Sequence, residues 1–407
     1  MHSEGVIKLG ASDAVEHLLG PVSLPVFAAE YLGERFLHVP GRPGKFTGLF
    51  NWKDLNTVLR IHRPDVSHIK LAKDGEFIPR DRFLVQRRVG GSWLEPNAVN
   101  RELHDGATLI VDGIDLLHEP VTQLAEALEE RLQCGVGVNM YAGWRASRGF
   151  DLHWDDHDVF ILQIFGRKRW QVYHPTRRYP LESERTVATI PKPDGDPVWA
   201  AEIDVGEVLY IPRGWWHVAV PCDVPTLHLT IGLYYPKALD MVGWVVGNLR
   251  SQDSMRMDVH CVGGIEARNR YYLEVQNALV AAFSDPALAD KFLKHLDSAR
   301  APRPTFGLPY SVVPTPLDSV ESKIRLLPRA PLQIEALEDE ETISVAFRGE
   351  AHVFRREAGP VLSMLAGRGA LPVRELYEAF ADSIEREQME TFVSDLAIQG
   401  LAVLESQ

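Results

Sequence analysis

Between residues 135 and 235, five apolar stretches follow one another with almost no helical spacing between them: GVGVNMY, DVFILQI, KRWQVY, EVLYIP and LHLTIGLYY. Gly166 and the Pro-Arg-Gly at 212–214 punctuate the series as turns. Strands that succeed each other without crossover helices pair antiparallel and bury their apolar faces in a barrel or sandwich, and a jelly roll fits this series best. The flanks read differently. Residues 1–130 mix short strands, RFLHVPG (35–41) and ATLIVDGI (107–114), with a helix over VTQLAEALEERLQ (121–133). Past residue 240 the apolar positions take helical spacing, in VGWVVGNL and YYLEVQNALVAAF. Faces that broad are expected to pack on the barrel or on a second copy of the chain. APRPTFGLPYSVVPTP (301–316) reads as an extended linker and EDEE (338–341) as a solvated acidic turn. The tail, 351–407, reads as three helices followed by a strand-like LAVLE, a small winged-helix-like module. The expected fold class is α+β, with boundaries at 1–240, 241–316 and 317–407.

Composition narrows the function classes. A chain of 407 residues, 45% hydrophobic and 24% charged, has the make-up of a globular protein with room for several cores. Its formal charge of −13 argues against direct nucleic-acid binding, which needs cations to displace phosphate counterions. The tail repeats the message, with nine acidic against five basic residues. Cys134, Cys222 and Cys261 are too far apart for a CxxC pair and read as small apolar residues in a reducing compartment. No signal-like N-terminus and no apolar run of membrane length is visible, so a cytoplasmic location is expected.

One segment resists a purely structural reading. HWDDHD (153–158) crowds two imidazoles and three carboxylic acids immediately before an apolar strand. A bound divalent cation would offset that crowding; an ordinary polar loop is the alternative. His153 and Asp155, two apart in extended chain, leave the same face and reach one ion without strain. His217, in GEVLYIPRGWWHVAV, is the candidate third ligand, where a strand ends in a tight turn. Two histidines and one carboxylate on one face leave three adjacent positions open, the facial arrangement of non-haem iron(II) oxygenases, whereas a structural zinc site recruits a fourth ligand. Asp156 and His157 are read as supporting or solvated loop residues, Asp158 as a cap on the loop, and His174 and His228 as satisfied core histidines. His228 and Thr230 share a face that could also line a pocket. In KRWQVY, Lys168 shares the face of Trp170 and Val172. Either it points inward and needs an anion, since an unpaired buried ammonium is costly, or it reaches out from the strand end to solvent. With Fe²⁺, Asp155 and a bound 2-oxoglutarate dianion, an inward Lys168 brings the set to neutrality.

The stretch NMYAGWRASRGFDLHWDDHDVFILQIFGRKRWQVYHP (139–175), with the later LYIPRGxxH, resembles the JmjC-type ribosomal oxygenases, cupin-related Fe(II)/2-oxoglutarate dioxygenases. The resemblance implies a double-stranded β-helix (a JmjC/cupin-like jelly roll), a helical dimerisation region after it, a C-terminal winged-helix-like domain, and a homodimer. It implies that His153, Asp155 and His217 bind iron, that Lys168 pairs with the far carboxylate of 2-oxoglutarate, and that Asn139 and Tyr141 line the cosubstrate and substrate pocket. The implied chemistry uses O2 to hydroxylate a C–H bond while 2-oxoglutarate becomes succinate and CO2. The implied substrate is an arginine or histidine side chain of a protein, a basic ribosomal protein foremost. A peptide natural-product precursor, a small molecule, and a non-catalytic cupin-like metal-binding role are the competing readings.

Overall fold

A computed structural model describes residues 11–405 apart from 63–66, 89–90, 145–149, 185–189, 223, 259–263, 300–302, 304, 309–311, 313–321, 328–331, 333, 338–340 and 348–349. The chain divides into two units, Met1–Tyr235 and Pro236–Gln407.

In the first unit the strands are β1 (Leu37–Val39), β2 (Ile69–Lys73), β3 (Glu76–Phe77), β4 (Leu84–Arg87), β5 (Gly91–Leu94), β6 (Thr108–Val111), β7 (Gly135–Gly143), β8 (Asp158–Phe165), β9 (Lys168–Tyr173), β10 (Trp199–Ile203), β11 (Val208–Ile211), β12 (Trp216–Pro221) and β13 (Thr226–Tyr234). Eight of them form one antiparallel sheet in the order β1-β11-β8-β13-β7-β6-β2-β3, and β10-β9-β12 form a second; β4 and β5 pair as a separate hairpin. The jelly roll expected from residues 135–235 is present, and β12 and β10 add to it two strands not read from the sequence.

Alternation along the strands decides what each face meets. In β8, Phe160, Leu162 and Ile164 join the core beneath the large sheet, while Val159 and Ile161 join Trp170, Val172, Ile203 and Trp215 between the two sheets. Both faces are thus buried, and the strand is almost continuously apolar for that reason. In β7 and β13 the sheet-core face is again apolar (Val138, Met140; Leu229, Ile231). Their other face carries Gly137, Asn139 and Tyr141, and His228, Thr230, Gly232 and Tyr234, none of which belongs in a dry hydrocarbon core. Helices Ala11–Leu19 and Glu119–Leu132 cover the large sheet's core side, supplying Leu18, Leu124 and Leu128.

The second unit opens with helices Ala238–Asn248, Ile265–Phe283 and Leu288–Ala299, where Trp244 lies against His295 with ring centroids 5.5 Å apart. Apolar residues on two of these helices, Leu239, Ile265, Tyr272, Leu273 and Val280, are more than half exposed. Beyond them, helices Ala358–Arg368, Val373–Phe380 and Arg386–Ile398 share a core with an antiparallel sheet of Lys323–Leu326, Leu371–Pro372 and Ala402–Glu405. That is the winged-helix-like arrangement expected of the tail, with LAVLE as the closing strand. A second sheet, Ile334–Ala336, Thr342–Phe347 and Glu350–Arg355, was not anticipated. Most of the proline-rich 301–316, three residues of EDEE, and Cys261 lie outside the described residues. Cys134 is buried and Cys222 half-buried. No helix among the described residues is long and apolar enough to cross a membrane.

Candidate functional site

The segment before β8 meets the start of β12 as a two-stranded bridge. The His153 amide donates to the His217 carbonyl at 3.1 Å and the His217 amide donates to the His153 carbonyl at 2.7 Å. One turn earlier, the Gly214 amide donates to the Asp155 carbonyl at 2.9 Å. Main-chain bonds therefore fix the three side chains at their roots. Ligand atoms of His153, Asp155 and His217 all lie within 4.8 Å of one another, with His217 Nε2 3.5 Å from Asp155 Oδ2.

Tautomers follow from the acceptors. His153 Nδ1 faces the Asp151 carbonyl at 2.7 Å and His217 Nδ1 faces the Trp215 carbonyl at 3.1 Å. A carbonyl only accepts, so each Nδ1 carries a proton and each Nε2 is the nitrogen turned toward the cluster. Burial and the adjacent His153 ring push His217 down to about 4, which keeps it neutral, the state in which an imidazole can bind a metal.

Gly214 sets the turn that delivers His217. Its φ of +83° lies in the left-handed region, and a Cβ there would fall 2.7 Å from Pro180 Cδ and 2.9 Å from the Arg177 carbonyl oxygen. Gly214→Ala is expected to cost about 1–3 kcal/mol of stability and to weaken divalent-metal binding through the lost anchor on Asp155. Thermal unfolding and a Co(II) titration check both arms.

The three residues line one wall of a cavity of about 690 Å³ between the sheets. Lys168 enters it from β9 and is only 7% exposed, so the solvent-reaching alternative does not hold. Its Nζ sits 5.7 Å from the Trp170 ring centroid, and among the described residues no carboxylate pairs with it. Burial lowers its pKa to about 8. Asn139 and Tyr141 line the same cavity: Asn139 Oδ1 accepts from the Gly113 amide at 3.0 Å, and Tyr141 stacks flat on His228 at 5.0 Å. Burial and the charges of Asp155 and Asp112 raise the Tyr141 phenol.

The neighbours of HWDDHD sort out physically. Asp156 and His157 pair with each other at 3.0 Å and stay outside the three-residue cluster; both are largely buried rather than solvated. His157 also stacks on Tyr234 at 4.5 Å. Asp158 does cap the loop, accepting from the Tyr210 hydroxyl at 2.5 Å and the Arg213 amide at 2.8 Å. His174 is exposed beside Trp215, not a core residue, because it lies just past the end of β9 at Tyr173. His228 is buried, but its Nδ1 has no hydrogen-bond partner among the described residues, so it is no satisfied core histidine.

Several cavity residues were missed. Lys70 and Asp112 form an ion pair on its wall, with Asp151, Phe150 and the half-exposed Phe77 nearby. Only the alternation Thr108, Ile110, Asp112 could have signalled them, since all three face the cavity while Leu109 and Val111 face the core.

Comparison with known proteins agrees with this geometry. Residues 115–241 match the JmjC domain model. The chain is 28% identical over 248 residues to the "Bifunctional lysine-specific demethylase and histidyl-hydroxylase NO66" of Dictyostelium discoideum, covering 59% of this chain and 46% of that protein. It is 26% identical over 307 residues to "Ribosomal oxygenase 1" of Gallus gallus, covering 69% of this chain and 49% of that protein. The chain thus spans less than half the length of either relative. Among solved structures, the ribosomal oxygenase YcfD of Escherichia coli in complex with cobalt and 2-oxoglutarate matches with a TM-score of 0.54 at 15% identity, over 95% of this chain and 99% of that one. At that identity the likeness establishes the fold. Residues 115–241 thus match a JmjC domain, and the chain is similar in sequence to curated JmjC-type oxygenases and in fold to a ribosomal oxygenase.

Proposed function

We propose that this protein is an Fe(II)- and 2-oxoglutarate-dependent dioxygenase that hydroxylates an arginine or histidine side chain of a protein, a basic ribosomal protein foremost. The observation that carries the reading is Lys168: a buried ammonium without a carboxylate partner among the described residues, facing the same cavity as His153, Asp155 and His217. An isolated buried cation is destabilising and is retained where an anion is to be bound.

The residues present fit the implied groups. Two imidazoles and one carboxylate, with three adjacent sides left open, match the donor set of a catalytic non-haem iron site. Bound together, iron and 2-oxoglutarate supply the oxidising power for C–H hydroxylation at the expense of O2. The chain's own part is to hold and orient. His153, Asp155 and His217 would hold the metal from one side. Lys168 would neutralise the far carboxylate of the cosubstrate, and the Trp170 face would keep water from that pair. Asn139, locked by the Gly113 amide, and Tyr141 would wall the path between cosubstrate and substrate. Asp151 gives the cavity wall a carboxylate suited to a cationic side chain, Asp112 being paired with Lys70. The helices of 241–316 are assigned to self-association, their half-exposed apolar residues being suited to a second copy.

The test is anaerobic addition of Fe(II) and 2-oxoglutarate to the apoprotein, watching for the visible charge-transfer band of the chelated cosubstrate. The band is expected in the wild type, absent in His153→Ala and weakened in Lys168→Ala. A folded wild type without the band would sink the oxygenase reading and leave a cupin-like metal-binding protein. With the band present, a mass gain of one oxygen on ribosomal proteins supports the stated substrate; a gain confined to small peptides or metabolites overturns it.

A further inference from the structure

We infer that the far carboxylate of 2-oxoglutarate is held at two points, by the ammonium of Lys168 and by a ring N–H given by a neutral His228. The inference rests on the function proposed above and assigns a binding residue within it.

Lys168 and His228 come from different sheets, β9 and β13, and line the same cavity beside Trp170. The Lys168 Nζ and the His228 ring centroid are each 5.7 Å from the Trp170 ring centroid. The His228 ring is clamped: it lies flat on Tyr141, with 6° between the planes at 5.0 Å, and meets Trp170 edge-on at 86°. Those two contacts fix the plane of the ring.

Its protonation state follows from its surroundings. Complete burial and the nearby Lys168 charge both push His228 well below the usual histidine range. A neutral imidazole carries one N–H. Nδ1 is sealed and meets no partner among the described residues, so a proton there would bury an unpaired donor. The proton therefore belongs on Nε2, on the part of the ring left to meet the cavity.

The charge balance favours this arrangement over a second cation. Fe²⁺, Asp155, a 2-oxoglutarate dianion and Lys168 are already neutral together, so an imidazolium would leave one uncompensated positive charge in a dry site. A carboxylate nevertheless has about four lone-pair positions, and one ammonium does not fill them. A neutral donor adds a charge-assisted hydrogen bond without disturbing the balance.

The experiment uses the Mn(II)-loaded protein, in which turnover does not interfere. Calorimetry gives the affinities of 2-oxoglutarate and of 2-oxobutyrate, which shares the keto-acid head and lacks the far carboxylate. His228→Phe keeps a ring against Tyr141 and Trp170 but has no N–H. It is expected to weaken 2-oxoglutarate by roughly tenfold to a hundredfold, the worth of a hydrogen bond to a charged group, and to leave 2-oxobutyrate within about twofold. His228→Gln is expected to recover part of the loss. Equal weakening of both ligands, or none, overturns the inference. A wild type that binds the two ligands equally well instead overturns the reading of Lys168 and the proposed function with it. Should His228→Phe fail to fold, nitrogen-15 spectra of histidine-labelled wild type decide: 2-oxoglutarate should bring one imidazole N–H into slow exchange with water, and its failure to do so overturns the inference.

Discussion

Lys168→Met is expected to make the protein more stable and nearly blind to 2-oxoglutarate. Lowering a lysine from 10.5 to about 8 by burial amounts to about 3 kcal/mol of native-state destabilisation, given 1.36 kcal/mol per unit. Methionine keeps the volume and removes that cost. The sign with pH is fixed: between about 8 and 10.5 the unfolded chain binds the proton and the folded one does not, so wild-type stability rises with pH across that window. The variant lacks the rise, and its advantage, full below pH 8, closes by about pH 10.5. Cosubstrate affinity runs the other way. Removing one partner of a buried ion pair costs about 3–5 kcal/mol, so the dissociation constant should rise by roughly two to four orders of magnitude. In the wild type it should begin to weaken as pH climbs past about 8, where the free lysine loses its proton. Thermal scans at pH 7 and pH 10, with calorimetry on the Mn(II) form, test all of this; a variant that loses stability at pH 7 would refute the buried-cation account.

Asp155→Ala should give the opposite profile, intact folding with the chemistry gone. Asp155 is the one anionic member of the cluster, and its main-chain carbonyl, which the Gly214 amide needs, survives the substitution. Loss of the carboxylate removes a candidate ligand and the charge that offsets the cation, so metal affinity should fall by roughly two to four orders of magnitude, on the scale of a lost buried charge partner. Conversion of 2-oxoglutarate to succinate should fall with it, while the thermal midpoint of the metal-free protein moves little. Retained turnover at saturating iron would show that Asp155 is not a ligand.

Much of this architecture is legible in the chain because strand periodicity is local. Alternation in β7 separates Val138 and Met140 from Asn139 and Tyr141, and the same rule in β9 turns Lys168 inward with Trp170. His153 and Asp155 are legible as a pair for the same reason. What escaped depends on partners distant in sequence. β12 was read as a turn delivering His217, since WHVAVP is short and ends in proline; it is a strand because β9 pairs with it from Trp216 to Pro221. β10, WAAEI, has too little side chain to mark it as a strand and is held by the other edge of β9. Lys70 and Asp112 reach the cavity only because β2 and β6 extend the large sheet past β7. His228 read as a core histidine that could also line a pocket with Thr230; both line the cavity, and His228 Nδ1 has no partner among the described residues.

The reciprocal amide–carbonyl bonds between His153 and His217 have a consequence for how the protein acquires its ion. Because the backbone has already brought the donors together, little of the ion's binding energy goes into ordering the chain, unlike small zinc modules that fold around their metal. Chelators should strip the ion and leave a native apoprotein that reloads at once. A cradle formed in advance also discriminates weakly among ions of similar size, so the divalent series is ranked by intrinsic affinity, with copper and zinc ahead of iron. Which metal sits there is then decided by what the surroundings supply, and excess zinc is expected to displace iron from so ready a chelate.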